Sequence, residues 1–206
     1  MIMPKVTFFY DRGYTIKGLI HVGANDGEEV PGYKELGIKN ILCFEPMSSV
    51  RWPYPDVPLI RKGLHDKDMA ATLNIAGGNA KGSSLFGIVA GHPELAKWQE
   101  GQDRMVGKEK IQLMRLDSFF ESHDYNIDDY DCLVLDTQGN EWEVLHGCGK
   151  LLQQFKFLSV ELSEVPVYTK EHPGQEVIDW LATKGFKQEC PLTSHDDVMF
   201  INTELV

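Results

Sequence analysis

The chain is short of the features that mark several common protein classes. Its 206 residues hold four cysteines, at 43, 132, 148 and 190, with no C-x-x-C pair and no histidine at zinc-ligand spacing. A zinc ribbon and a disulfide scaffold are both disfavoured. Cys43 and Cys132 stand inside the apolar runs Ile41-Leu42-Cys43-Phe44 and Cys132-Leu133-Val134-Leu135, where cysteine behaves as a small hydrophobe. Buried, reduced thiols and a cytoplasmic location follow as expectations. No apolar run approaches membrane-span length, and Met1-Ile2-Met3-Pro4-Lys5 lacks a basic start followed by a continuous apolar stretch, so a soluble chain with no membrane partner is expected. Basic charge is scarce as well: 20 Lys and Arg oppose 31 Asp and Glu, a formal net charge of −11. Such a chain is poorly equipped to follow a phosphate backbone, so nucleic acid is not expected as a partner. Small molecules, cationic ones above all, are the natural ligands.

The apolar and charged fractions are those of an ordinary globular chain, and the length suits a single domain over residues 1–206. Leu19-Ile20-His21-Val22, Asn40-Ile41-Leu42-Cys43-Phe44, Cys132-Leu133-Val134-Leu135 and Phe157-Leu158-Ser159-Val160 are near-continuously hydrophobic, as expected of parallel strands covered on both faces in an α/β layer. Between them, Asn140 to Gln154 has helical spacing through Trp142, Leu145 and Cys148, and Gln175 to Lys184 repeats it through Val177, Ile178 and Leu181 before Gly185. Phe186 to Cys190 and Val198 to Ile201 read as an antiparallel terminal hairpin whose loop holds His195, Asp196 and Asp197. Gly77 to Gly91 has no period and reads as a mobile loop, and its continuation to Lys110 as a surface insertion with one short helix.

The most informative stretch is His21-Val22-Gly23-Ala24-Asn25-Asp26-Gly27-Glu28-Glu29, which follows a strand and opens a helix. Glycines at 23 and 27 permit a tight turn and a close ligand approach. The dinucleotide pattern G-x-G-x-x-G needs glycine where Asn25 and Glu28 stand, and Asp26, Glu28 and Glu29 would repel a pyrophosphate at the helix start. A ligand carrying an ammonium or sulfonium group fits better. Eighteen residues beyond Gly27 a strand ends in Phe44-Glu45-Pro46, and a carboxylate there suits the two hydroxyls of a ribose.

These residues, with Leu135-Asp136-Thr137-Gln138-Gly139-Asn140-Glu141, Val144-Leu145-His146-Gly147, Leu116-Asp117, Val160-Glu161-Leu162-Ser163 and Gly185-Phe186, resemble the FkbM family of S-adenosylmethionine-dependent methyltransferases from about residue 18 to 201. The resemblance implies a Rossmann-like class I methyltransferase fold, a seven-stranded mostly parallel sheet flanked by helices, with the antiparallel hairpin last. It implies that Gly23, Asn25 and Gly27 face the methionine part of the cofactor with Asp26 nearby. His21 belongs to the same loop, in a position where aspartate is common. Glu45 would take the ribose hydroxyls, Pro46 and Met47 would pack near adenine, and a third strand over Val57 to Arg61 would deliver Gly63 and Leu64 to the adenine ring. Asp136, at a strand tip, would lie beside the transferred methyl group.

Transfer to a hydroxyl is helped by a general base. Asp136 is the first candidate, Glu161 and, in the hairpin loop, His195 with Asp196 and Asp197 are others, and Glu141 enters through its place in the motif. His146, within a helix, reads as a packing residue. Asp136 with Glu161 could instead hold Mg²⁺, so a divalent metal is possible but no ligand set is assigned. Trp52, Tyr54 and Tyr168 could line an acceptor pocket or serve as rigid anchors. The resulting expectation is an O-methyltransferase acting on a small-molecule hydroxyl, a sugar or glycan first. The alternatives are a non-catalytic cofactor-binding module and an NAD-dependent oxidoreductase, and Gly77 to Lys110 is expected near the acceptor.

Overall fold

The computed structural model describes residues 5–97 and 104–206; residues 1–4 and 98–103, the latter within the stretch read as an insertion, lie outside it. The elements in chain order are α1 (Thr7–Tyr10), β1 (Gly18–Val22), α2 (Val30–Glu35), β2 (Asn40–Phe44), β3 (Leu59–Ile60), β4 (Gly63–Leu64), β5 (Met69–Ala76), β6 (Met105–Met114), α3 (Leu116–Ser122), β7 (Cys132–Leu135), α4 (Glu141–Gly147), β8 (Phe157–Ser163), α5 (Gly174–Ala182), β9 (Phe186–Gln188) and β10 (His195–Asn202). The main sheet runs β3-β2-β1-β7-β8-β10-β9. It is parallel from β3 through β8, and β10 is antiparallel to both neighbours. This Rossmann-like layout is the one anticipated.

The continuous apolar runs become strands buried on both faces. Every residue of β1 and of β7 is buried. Successive side chains alternate between two cores. Ile20, Val22, Leu42, Phe44, Leu133 and Leu135 pack against Leu116 and Phe119 of α3, Val144 and Leu145 of α4, and Val177 and Leu181 of α5. Leu19, Ile41, Cys43, Cys132 and Val134 meet Val6 and Phe9 at α1 and Val30 and Tyr33 of α2. Strands β2 and β3 lie on one side of β1, and β7 and β8 on the other. The loops leaving β1 and β7 therefore part, and a crevice opens at their carboxyl ends.

Several local readings are corrected. The helix read over residues 140–154 stops at Gly147 and resumes as a 3₁₀ turn, Gly149–Gln154. Gly149 breaks it with a φ of +56°, and a Cβ there would fall 2.3 Å from the Asp117 carboxylate. His195, Asp196 and Asp197 are strand rather than loop, because they pair with Ser163, Leu162 and Glu161 of β8. The third strand is only Leu59–Ile60. Residues 105–110 are not insertion but the first part of β6, which pairs along its length with β5; β4, β6 and β5 form a second sheet over Met47, Leu73, Ile111 and Leu113. Its half-exposed strands carry no apolar run, which is why they escape a reading by hydrophobicity. The short helix expected in the insertion is the 3₁₀ turn Pro93–Lys97. The cysteines are free, three buried and Cys190 half-buried, and no helix among the described residues is long and apolar enough to cross a membrane.

Gly147 explains one short motif: a Cβ at this position would lie 2.1 Å from the His65 carbonyl, so α4 can close against the loop after β4 only without a side chain. Gly147→Ala should lower stability by about 1–3 kcal/mol in urea unfolding, as overpacking does. Gly107→Ala, whose Cβ has only ordinary contact at 3.7 Å, should stay within about 0.5 kcal/mol.

Candidate functional site

A cavity of about 280 Å³ lies at the carboxyl ends of β1, β2 and β7. Its floor is the turn after β1. Gly23 has a φ of +83°, and a Cβ on it would fall 1.8 Å from the Asp136 carbonyl. The Gly23 and Ala24 N–H groups donate to the Phe44 carbonyl at 2.9 and 3.1 Å, which ties the turn to the end of β2. Asn25, also left-handed at +44°, donates its N–H to Glu45 Oε2 at 3.1 Å. The Met47 N–H donates to Glu45 Oε1 at 2.8 Å, so the buried carboxylate is fixed from both sides. Burial raises its pKa, and these two N–H groups oppose the rise. Arg61 holds the chain after Glu45 by donating to the Met47 and Val50 carbonyls, both at 2.6 Å.

One end of the cavity is apolar, lined by Met47, Gly63, Leu64, Leu73, Ile111 and Leu113. Asn140 lines it too; its Nδ2 donates to the Leu64 carbonyl at 2.9 Å, while its buried Oδ1 has no partner. An orphaned acceptor beside an apolar slot, with a fixed carboxylate next to it, fits an aminopurine nucleoside.

The other end is ionisable. Gln138, left-handed at φ +57°, spreads its amide across two carboxyls: Nε2 donates to Asp136 Oδ1 at 2.5 Å and to Glu161 Oε2 at 2.6 Å. Its Oε1 accepts from the Tyr168 hydroxyl at 2.6 Å, and Tyr168 packs on Gly139. Lys5 Nζ donates to Asp136 Oδ2 at 2.9 Å and pairs with Asp197 Oδ1 at 3.0 Å. His195 Nε2 stands 3.5 Å from Glu161 Oε1, and its Nδ1 is 2.9 Å from Ser163 Oγ. Burial would raise the Asp136 pKa, but the Lys5 ammonium and the Gln138 amide hold it well below the usual carboxylate range. Burial and the Asp136 charge push Glu161 well up, burial lifts Asp197 to about 6 despite Lys5, and burial lowers His195.

Of the residues singled out from sequence, Gly23, Asn25, Glu45, Pro46, Met47, Gly63, Leu64, Asp136, Glu161 and His195 share the cavity wall. Four others do not. His21 is buried beneath it, with Nδ1 3.2 Å from the Tyr33 hydroxyl, and burial lowers its pKa to about 4. Asp26 is exposed, and Gly27 makes room for Trp52 and Tyr54, whose rings would lie 2.7 and 2.9 Å from a Cβ there. Glu141 is buried with Oε1 accepting from the Thr137 N–H at 2.7 Å and hydroxyl at 2.9 Å. It shapes the turn after β7, and burial raises its carboxyl to about 8. Trp52 and Tyr54 are thus anchors, and His146 packs on Trp142 and Trp180. Lys5 and Asn140 escaped the sequence reading, as did Lys81, which pairs with Glu28 at the cavity wall; for Asp197 the sequence points to a place beside His195 but not to the pairing with Lys5.

Residues 21–188, well over half of the chain, match the family described as methyltransferase FkbM domain. The chain belongs to the FkbM methyltransferase family. Its methyl donor is S-adenosylmethionine. This FkbM chain is 24% identical over 196 residues to 2-O-methyltransferase NoeI of Sinorhizobium fredii (strain NBRC 101917 / NGR234), covering 91% of this chain and 80% of that protein. A crystal structure of magnesium protoporphyrin IX methyltransferase (ChlM) from Synechocystis PCC 6803 with bound SAM aligns over 96% of this chain and 76% of that one, with 10% identity and a TM-score of 0.44. FkbM membership sets aside the oxidoreductase, in keeping with Glu28, which stands at the third fingerprint position and pairs with Lys81. The metal alternative does not fit. Among the described residues no group of three or more could hold an ion, and Lys5 and the Gln138 amide already occupy the Asp136 and Glu161 oxygens.

Glu141 gives a pH test. Its unfolded carboxyl loses its proton near pH 4.5, whereas the folded one keeps it to about 8, so between those values the folded state binds more protons and stability falls as pH rises. Glu141→Gln should flatten the fall in unfolding free energy between pH 5 and 8 by at most about 1.4 kcal/mol per pH unit. An unchanged slope in urea titrations would count against that assignment.

Proposed function

We propose that this chain is an O-methyltransferase that moves a methyl group from S-adenosylmethionine to a hydroxyl of a small molecule, with a sugar or glycan as the acceptor class. The observation that carries the reading is the pairing, in one cavity, of a nucleoside-like end around Glu45 and an ionisable end around Asp136, Glu161 and His195. The oxygen acceptor, and a sugar as its class, draw support from the relative whose name is 2-O-methyltransferase NoeI. Ala80, Lys81, Gly82, Ser83 and Leu85 on the cavity wall support an acceptor pocket shaped by the loop after β5. We read residues 1–206 as one working domain, and the four free thiols support a cytoplasmic setting.

The cofactor, when bound, supplies a methyl group activated on a sulfonium. The chain's own task is to hold the donor and acceptor in line and to accept a proton. Glu45 takes the ribose hydroxyls, Pro46, Met47, Gly63 and Leu64 flank the adenine with Asn140 at the same end of the cavity, and Gly23 and Asn25 border the methionine. Asp136 serves as the anion beside the positive end of the donor. It is a weak base, because its electrons are already engaged by Lys5 and Gln138. His195, kept neutral by burial and 3.5 Å from Glu161, is the better proton acceptor, and the Asp136 anion nearby favours the imidazolium that forms. His21, Gly27 and Glu141 act indirectly, through packing and turn shape.

Calorimetric titration with S-adenosylmethionine should show binding that Glu45→Ala weakens at least tenfold, about 1.4 kcal/mol. A wild-type protein that gives no heat would refute the donor site. In a screen of hydroxylated acceptors with radiolabelled donor, His195→Ala should lose at least a hundredfold in kcat with little change in donor affinity, in line with a general-base contribution. Full turnover in His195→Ala, with loss confined to Asp136→Asn, would return the base to Asp136. Donor binding with no acceptor methylated across a broad panel would favour the non-catalytic module.

A further inference from the structure

Lys5 is a half-buried cation from a part of the chain that precedes the family's matched span, and so is not accounted for by it. One turn of helix delivers it. Val6 and Phe9 are fully buried in the core beneath the sheet, and the Phe9 ring lies 4.8 Å from that of Phe157. Anchored in this way, Lys5 reaches across 131 residues of sequence to donate to Asp136 at 2.9 Å, and it pairs with Asp197 at 3.0 Å. Asp197 too lies beyond the matched residues 21–188.

We propose that Lys5 is a positioning residue for methyl transfer, a cation that fixes which of the carboxyls around the acceptor carry charge. The proposal rests on the O-methyltransferase reading of the cavity and names a residue that governs it without touching the reacting atoms. The groups facing Lys5 come from five elements: Asp136 after β7, Glu161 on β8, Asp197 and His195 on β10, Glu29 and Tyr33 at α2, and His21 on β1. Four of these are buried or half-buried carboxyls crowded around one ammonium, and like charges so placed oppose full ionisation of all four. One ammonium hydrogen-bonded to Asp136 and ion-paired with Asp197 breaks the tie by geometry. Asp136 is held as an anion, and the proton left over resides on Glu161, whose carboxyl Gln138 joins to Asp136. Burial on its own would lower the pKa of Lys5, but Asp136, Glu161 and Asp197 together hold it well above its ordinary value, so the cation persists across the working pH range.

The test compares wild type with Lys5→Met and Lys5→Arg. In ligand-free protein labelled with ¹³C at the side-chain carboxyls, Lys5→Met should raise the Asp136 titration by at least one pH unit and Lys5→Arg should restore it. With donor and a methylated acceptor, the acid limb of kcat/KM in Lys5→Met should move up by at least one unit, with a fivefold or greater loss at pH 6 and an unchanged KM for the donor. A strap that merely ties down α1 would behave otherwise. Lys5→Met would then match Phe9→Ala, with lower thermal stability and weaker donor binding but the wild-type limb and the wild-type Asp136 titration, and that result overturns the proposal. Should Lys5→Met not fold, the wild-type spectrum decides: Asp136 titrating well below an ordinary aspartate while Glu161 titrates well above an ordinary glutamate supports the assignment, and ordinary titration of both overturns it. If wild type methylates no hydroxyl at all, the O-methyltransferase reading falls, while the ligand-free titration still decides whether Lys5 sets the charges.

Discussion

The site depends on an approach too close for any side chain: residue 23 lies against the carbonyl of Asp136, where even a single carbon would overlap it. That contact joins the ends of β1 and β7, the two strands at which the sheet reverses its order. With the two ends joined, the turn after β1 leans toward β2 and reaches Phe44 and Glu45, and the turn after β7 carries Gln138 toward Glu161. The nucleoside-like and ionisable ends of the cavity are therefore not independent; both hang on one glycine. A bulkier residue would push the two strand ends apart and so disturb both at once.

The charge balance follows from the same arrangement. An excess of eleven acidic residues would mean only solubility if spread evenly over the surface. Here several of them converge at the strand ends, where Glu28, Glu29, Glu45, Asp136 and Glu161 share one cavity. Burying them is costly unless partners are supplied, and the partners come from far away in the chain: Lys5 from the start, Lys81 from the loop after β5, and the Asn25 and Met47 N–H groups from the backbone.

How much of this could be read from sequence differs with the physics involved. Strands β1, β2, β7 and β8 were legible because burial on both faces leaves a continuous apolar run, and the hairpin was legible because two such runs lie close together. Strands β5 and β6 were not, since one face is exposed and the apolar signal thins. The glycine turn and Glu45 could be found because their chemistry is local, with donor and acceptor within a few residues of a strand end. Lys5 and Asn140 could not, because nothing near them in sequence announces their partners, and Asp197 was legible only as a neighbour of His195. Conversely, His21, Gly27 and Glu141 belong to informative motifs, yet they support the cavity from behind. A motif records that a position is constrained and does not distinguish contact with a ligand from contact with the wall that holds it.

Gln138 carries a tension of its own. Its left-handed backbone, at φ +57°, costs a residue with a side chain roughly 1–2 kcal/mol relative to glycine, so a glycine there would relax the turn. It would also release Asp136, Glu161 and Tyr168 from the one amide that binds all three. At this position, local comfort and order among the ionisable groups are opposed. A redesign guided by backbone geometry alone would be drawn toward the very substitution that lets the carboxyls drift apart, relaxing one turn while leaving two carboxyls and a tyrosine hydroxyl without their shared partner.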